Sequence, residues 1–251
     1  MPGSRPRSRR LDIALQEQGL VESVERARVL IMAGEVRVAG ERVRVPSQPV
    51  REDQALELIT PARYVSRGGE KLAGALDEFD VAVEGRTCAD VGASTGGFTD
   101  VLLQRGALRV YAIDVGRGQL HWRLRQDDRV VLMEGVNARL LESLPEPVGL
   151  ITVDVSFIGL EAVMPALRRA APGAEFVVLF KPQFQVPRGR VERGGVVRDE
   201  NAVAEALEAF QGFCDEAGIE VAGRVLAALK GPAGNQEHLL HLLPRRVGEA
   251  G

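Results

Sequence analysis

Apolar positions change period along the chain, and each change marks an element. Leu11, Ala14, Leu15 and Leu20 fall at helical spacing, and Gly19 closes that segment. Ser23 is placed to cap a second helix that turns Ala27, Leu30 and Ile31 inward, with Gly34 ending it. Val36-Arg37-Val38 and Arg42-Val43-Arg44-Val45 then alternate with period two about an Ala39-Gly40-Glu41 turn, so the valines share one face and Arg37, Arg42 and Arg44 the other. After an aperiodic stretch at 61–65, Ser66 opens a helix through Lys71, Leu72, Ala75 and Leu76. From Cys88 onward, short apolar runs of buried-strand type alternate with helices. The strands are expected to end near Val91, Asp114, Leu132, Asp154 and Lys181, with helices over 160–170 and 202–217 and closing strands over 221–227 and 238–243. This order predicts an α/β doubly wound sheet with sites at the carboxyl ends of its strands, preceded by a small α+β unit.

Composition narrows the class without naming a function. With 251 residues and 45% apolar content, the chain is long enough for one large or two modest globular domains. We expect a basic arm over 1–9, a small domain over 10–60, a linker over 61–65, a large domain over 66–245 and a loose tail over 246–251. The net charge of -3 does not mark a nucleic-acid binder, so any such surface has to be local. Cys88 and Cys214 lie far apart and outside any metal-like cluster, which predicts reduced thiols and no metal site. No run is long enough to cross a membrane, and the arm containing Arg5 and Arg7 is not followed by an apolar signal core; a cytoplasmic protein is expected.

The most informative stretch is Asp90-Val91-Gly92-Ala93-Ser94-Thr95-Gly96-Gly97-Phe98-Thr99, a strand end, a glycine turn and a helix start. Its spacing is not Gly-x-Gly-x-x-Gly, which disfavours a dinucleotide pyrophosphate, and no Lys-Ser/Thr follows the glycines, which excludes a P-loop. An acidic residue before a loose glycine cluster suits a ligand with an amino-acid end and no phosphate, such as S-adenosylmethionine. On this reading Gly92 allows the sharp turn, Gly96 and Gly97 leave room for the ligand, and Ser94 or Thr95 caps the helix. Asp114, ending the second strand, is placed to accept hydrogen bonds from ribose hydroxyls. Val115 and Asn137 complete the candidate cofactor set with Asp90, Phe98, Thr99 and Asp154.

Arg26, Arg28, Arg37, Arg42 and Arg44 on the small unit make a candidate phosphate platform; the alternative is a solvated surface partly neutralised by Glu22, Glu25 and Glu41. Arg10-Leu11-Asp12, Ser23…Arg26-Ala27 and the 31–38 segment resemble the S4-like RNA-binding module, which implies that this unit grips structured RNA. Arg5, Arg7, Arg10, Arg63, Arg67, Arg188, Arg190 and Arg193 extend the candidate RNA-binding set. The last three lie in a Gly/Pro/Arg-rich segment, 182–199, that reads as a mobile loop.

Taken singly, Asp154 and Lys181 can be structural or solvent-facing, and Glu237 can face either way. Together with their neighbours they carry a closer resemblance. Ser66-Arg67-Gly68-Gly69-Glu70-Lys71-Leu72, the glycine turn, Val153-Asp154-Val155-Ser156-Phe157 and Phe180-Lys181-Pro182-Gln183-Phe184 are similar to the TlyA family, as are Gly194-Gly195-Val196-Val197-Arg198-Asp199 and Gly234-Asn235-Gln236-Glu237. That family joins an S4-like module to an FtsJ-like methyltransferase domain. The resemblance implies a Rossmann-like fold, S-adenosylmethionine as cofactor, and ribosomal RNA (16S and/or 23S) or ribosomal subunits as partners, methylated on cytidine ribose 2′-hydroxyls. It also implies a Lys-Asp-Lys-Glu tetrad at Lys71, Asp154, Lys181 and Glu237. Lys181 would act on the hydroxyl either as a neutral amine that takes its proton or as an ammonium that stabilises developing alkoxide. The competing readings are an RNA-binding or assembly factor without turnover, a haemolysin-type membrane-active protein and, last, a nicotinamide oxidoreductase.

Overall fold

The computed structural model describes residues 8–59 and 62–245, which divide into two compact units between Ala62 and Arg63. The smaller unit contains β1 (Ser8–Arg10), α1 (Leu11–Glu17), α2 (Val24–Ala33), β2 (Val36–Val38), β3 (Glu41–Val43), β4 (Pro49–Arg51) and β5 (Leu56–Leu58). The Ser23 hydroxyl accepts the Arg26 N–H at 3.1 Å, and Gly34 ends α2 in the left-handed region at φ 74°. Leu11, Leu15, Ala27, Ile31, Val36 and Val50 close a core of their own. β2 pairs with both β3 and β5, placing Arg37 directly opposite Arg42 on the exposed face.

The larger unit opens with α3 (Arg67–Glu78), followed by β6 (Thr87–Val91), α4 (Gly97–Gln104), β7 (Arg109–Asp114), α5 (Trp122–Arg125), β8 (Val130–Glu134), β9 (Leu150–Val153) and α6 (Met164–Ala170). Next come β10 (Glu175–Phe180), α7 (Pro182–Gln185), α8 (Glu200–Glu216), β11 (Ile219–Leu226) and β12 (His238–Pro244). Seven strands form one sheet in the order β11-β12-β10-β9-β6-β7-β8; β10 through β8 run parallel, and β12 and β11 are antiparallel at one edge. Strand order reverses at β6, between β9 and β7, which opens a crevice at the carboxyl ends there.

Strand parity divides the core. Cys88, Val110, Leu150, Val177 and Leu239 pack with Leu72 and Leu76 of α3 and Val101 and Leu102 of α4. Val91, Tyr111, Ile151, Val178 and Leu240 pack with Leu167 of α6 and Phe210 of α8 on the other side. Burial pushes both free thiols, Cys88 and Cys214, up to about 12, so they behave as inert apolar groups. Tyr64 is buried and the Val65 N–H donates to Asp100 Oδ2 at 2.8 Å, so these two residues of the expected linker belong to the larger unit.

Candidate active site

Register brings the tetrad together. Asp154 and Lys181 follow β9 and β10, neighbouring parallel strands, so both emerge at one edge. β12 runs antiparallel beside β10 with His238 opposite Phe180, which returns Glu237 to that same edge. Lys71, on the second turn of α3, completes the group. All four line a cavity of about 410 Å3 together with Arg67, Phe98 and Lys230.

The four charges form two pairs. Lys181 Nζ lies 2.5 Å from Asp154 Oδ1 and donates to the Ser156 hydroxyl at 2.9 Å. Lys71 Nζ bonds Glu237 Oε2, and both side chains are buried, at 7% and 1% residual exposure. Asp154 Oδ1 is engaged by Lys181, whereas Glu237 Oε1 is buried without accepting a hydrogen bond from any described residue. Glu237 Oε1 packs against Gly231, where a Cβ would come within 2.3 Å of it. The cavity is thus lined by two carboxylates, each beside an amine.

A second cavity of about 520 Å3 adjoins the first and shares Gly92, Ser94 and Asp154 with it. Asp114, Val115 and Asn137 line it, with Gln119, Arg139 and Phe157. Asp114 Oδ2 accepts the Ser94 N–H and Oδ1 the Gly116 N–H, both at 2.7 Å, which leaves each oxygen a further lone pair for a ribose hydroxyl. Thr95, Gly97 and Phe98 line the first cavity.

Four features of the glycine turn differ from the sequence reading. Asp90, Gly96 and Thr99 line neither cavity. Asp90 is fully buried beneath the turn, where its Oδ2 accepts the Thr99 N–H at 2.8 Å and hydroxyl at 2.7 Å, and Oδ1 accepts the Thr152 hydroxyl at 3.2 Å. It fixes the start of α4 instead of meeting a ligand. Gly96, not Ser94 or Thr95, is the N-cap of α4, at φ 97°. The glycines make room for protein: a Cβ on Gly92 would lie 2.4 Å from the Asp154 carbonyl oxygen, on Gly96 2.3 Å from Leu124, and on Gly97 2.2 Å from Ser66 Oγ.

Burial raises Asp90 to about 7; the Thr99 bond opposes that shift and the nearby Asp154 charge adds to it. Because the folded value is raised, the stability this group contributes is fully present below its unfolded value near pH 4 and is lost as pH rises through about 7. The span corresponds to at most about 4 kcal/mol. Asp90→Asn keeps an acceptor for Thr99 and removes the titration. The variant is expected to exceed wild type in urea midpoint at pH 8 without cofactor and to match it near pH 4. A variant equally weakened at both pH values would contradict this account.

The arginine assignments divide. Arg5 and Arg7 lie outside the described residues. Arg26, Arg37, Arg42 and Arg44 are exposed and make no ion pair among the described residues. Arg10 and Arg28 both bond the buried carboxylate of Asp12, at 2.8 to 3.0 Å, and not the glutamates considered from sequence; Arg10, with help from Arg28, holds Asp12 well below the usual range against the cost of burial. Arg63 stacks over Tyr64, and Arg67 donates to the Lys230 carbonyl at 2.9 Å. Arg188 and Arg193 are exposed, but Arg190 is bound to Asp199 and Glu205, which removes it as a free phosphate contact. The 182–199 segment is not a featureless loop: it contains α7 and a 3-10 turn at Arg188–Arg190, and it is bonded to Asn235.

Phe157 was not singled out from sequence. It is 88% exposed, has φ 70° in the left-handed region, lines the second cavity and lies 5.4 Å from the Phe184 ring. A bulky residue in that conformation is strained, and such strain concentrates at ligand sites. Its place just after a strand's carboxyl end was the available signal.

Residues 64–243 match the FtsJ-like methyltransferase family and residues 9–56 the S4 domain. The chain is 46% identical to the 16S/23S rRNA (cytidine-2′-O)-methyltransferase TlyA of Mycobacterium tuberculosis, over 94% of this chain and 90% of that one. The chain belongs to the TlyA family. Hemolysin A of Brachyspira hyodysenteriae is 39% identical over 93% of this chain and 99% of its own length. A solved structure from Streptococcus thermophilus, titled a hemolysin, superposes with a TM-score of 0.72 at 42% identity, covering 96% of this chain and 89% of that one. This TlyA-family chain therefore carries both of the modules that its motifs implied.

Proposed function

We propose that the chain methylates the ribose 2′-hydroxyl of a cytidine in ribosomal RNA, using S-adenosylmethionine, with Lys181 acting at the hydroxyl. The observation that carries this reading is the single cavity lined by Lys71, Asp154, Lys181 and Glu237, which shares Gly92, Ser94 and Asp154 with the adjoining cavity. The Mycobacterium tuberculosis relative, named for that activity, supports the same chemistry.

The residues of the second cavity fit the cofactor. Asp114 retains lone pairs for the ribose, Val115, Ala138 and Phe157 offer apolar contact to a purine, and Gly92 and Ser94 border the shared opening. When bound, S-adenosylmethionine supplies an electrophilic methyl group. The chain has to orient the ribose oxygen toward that group and remove its proton, since a neutral hydroxyl is a poor nucleophile. Lys181, fixed by Asp154 and Ser156, is held where it can bind the oxygen and disperse charge as the proton leaves. Asp154, ion-paired to that amine, is the adjoining carboxylate that can take the proton. Lys71 and Glu237 neutralise one another and line the same cavity.

The smaller unit supplies affinity through Arg37, Arg42 and Arg44. Replacing all three by alanine is expected to weaken RNA binding and to lower the slope of log K against log salt by roughly two to three units. Unchanged affinity and slope would remove that face from the account. No helix among the described residues is long and apolar enough to cross a membrane, and that observation gives the haemolysin reading no support. The function is tested by incubating unmodified small and large ribosomal subunits with methyl-labelled S-adenosylmethionine. Label in at least one subunit supports it. Tight RNA and cofactor binding with no label in either subunit or in naked RNA would favour a binding factor without turnover.

A further inference from the structure

We propose that Asn235 is a positioning residue that ties both ends of the catalytic cavity to the arginine-bearing segment 186–199. The proposal rests on the methyl-transfer reading above and adds a coupling between RNA contact and chemistry. Three of the motifs noted in the sequence, those containing Lys181, Gly194-Gly195 and Glu237, are joined at this side chain.

Asn235 is 2% exposed, and both its amide N–H groups and its amide oxygen are bonded. Nδ2 donates to Gln183 Oε1 at 3.0 Å and to the Gly195 carbonyl at 2.7 Å, while Oδ1 accepts the Val197 N–H at 2.8 Å. The two backbone partners fix the orientation of the amide, because a carbonyl only accepts and an N–H only donates. Gln183 is two residues beyond Lys181 in α7, and Glu237 is two residues beyond Asn235. The Asn235 carbonyl accepts the Gly231 N–H at 2.9 Å, and Gly231 is the surface on which Glu237 Oε1 rests. The segment held on the other side turns at Gly194 and Gly195, at φ 88° and 79°, and the Glu192 N–H donates to the Val196 carbonyl at 2.8 Å. It exposes Arg188 and Arg193. A phosphate drawn to those arginines acts on a segment bonded, through one amide, to the backbone on which Lys181 and Glu237 are mounted.

Asparagine is required by this arrangement. Aspartate keeps the acceptor but offers no donor to the Gly195 carbonyl, leucine leaves three part-buried polar groups without their partner, and glutamine is one carbon too long.

The test uses the full-length protein with S-adenosylmethionine and unmodified ribosomal RNA. Asn235→Ala is expected to lower kcat by on the order of 10²-fold, as displacement of a catalytic group by an ångström does. The KM for RNA should rise and cofactor affinity stay unchanged. Trypsin should cut the variant at Arg188 and Arg193 faster than wild type, whereas Lys181→Ala should retain wild-type protection. Gln183→Ala, which severs only the arm toward Lys181, should lower kcat while leaving KM and protection unchanged. Wild-type kcat in Asn235→Ala would overturn the proposal. So would unchanged cleavage, or an activity loss that merely tracks unfolding while Gln183→Ala turns over normally. If the wild-type protein transfers no methyl group, the functional reading fails instead, and the protease comparison still decides whether Asn235 holds the segment.

Discussion

Replacing Lys181 by alanine is expected to reduce methyl transfer by about 10²- to 10⁴-fold, the range of a lost proton-handling group. Cofactor affinity should stay nearly unchanged, because Lys181 lines the first cavity and not the second. Ser156 and Asp154 would remain but would lose the amine they hold, so the ribose oxygen would face an acceptor with no adjoining cation. Single-turnover transfer and cofactor titration separate the two effects. Loss of cofactor binding together with activity would move Lys181 from the reacting oxygen to the cofactor site.

The largest effect on stability is expected at the buried pair. Lys71→Ala strands Glu237 at 1% exposure without its counter-ion, and such a break costs about 3–5 kcal/mol. Glu237→Ala strands Lys71 in the same way. The combined Lys71→Met and Glu237→Leu variant removes both charges and should recover most of the stability, since a buried ion pair adds little over apolar packing of similar volume. It should not recover methyl transfer. Urea unfolding of the three variants checks the first point and labelled transfer the second. A double variant as unstable as the singles would mean that the pair is needed for folding itself, and an active one would remove the pair from the mechanism.

How much of this was legible depended on range. Buried parallel strands announce themselves as apolar runs because both faces pack, so 108–113, 150–153 and 175–180 were readable, as were the Ser23 cap and Gly34 stop of α2. Motif resemblance nominated Lys71 and Glu237, but their meeting depends on the antiparallel return of β12 beside β10, a register no local pattern encodes. Asp90 and Gly96 were misread for one reason: a turn built to approach a ligand and a turn built to let strands and helices approach each other use the same residue types. Only the positions of Asp154, Leu124 and Ser66 distinguish them. The strain at Phe157 and the three-way bonding of Asn235 are likewise properties of the folded chain.

The central claim is that the methyl group goes to a ribose oxygen, and alkaline hydrolysis of the labelled RNA tests it most directly. A 2′-O-methyl group removes the hydroxyl that attacks the neighbouring phosphate, so the modified linkage survives alkali. The account predicts label in an alkali-stable dinucleotide that yields 2′-O-methylcytidine on enzymatic digestion. Label released as an ordinary mononucleotide would place the methyl group on a base and contradict the mechanism built on Lys181.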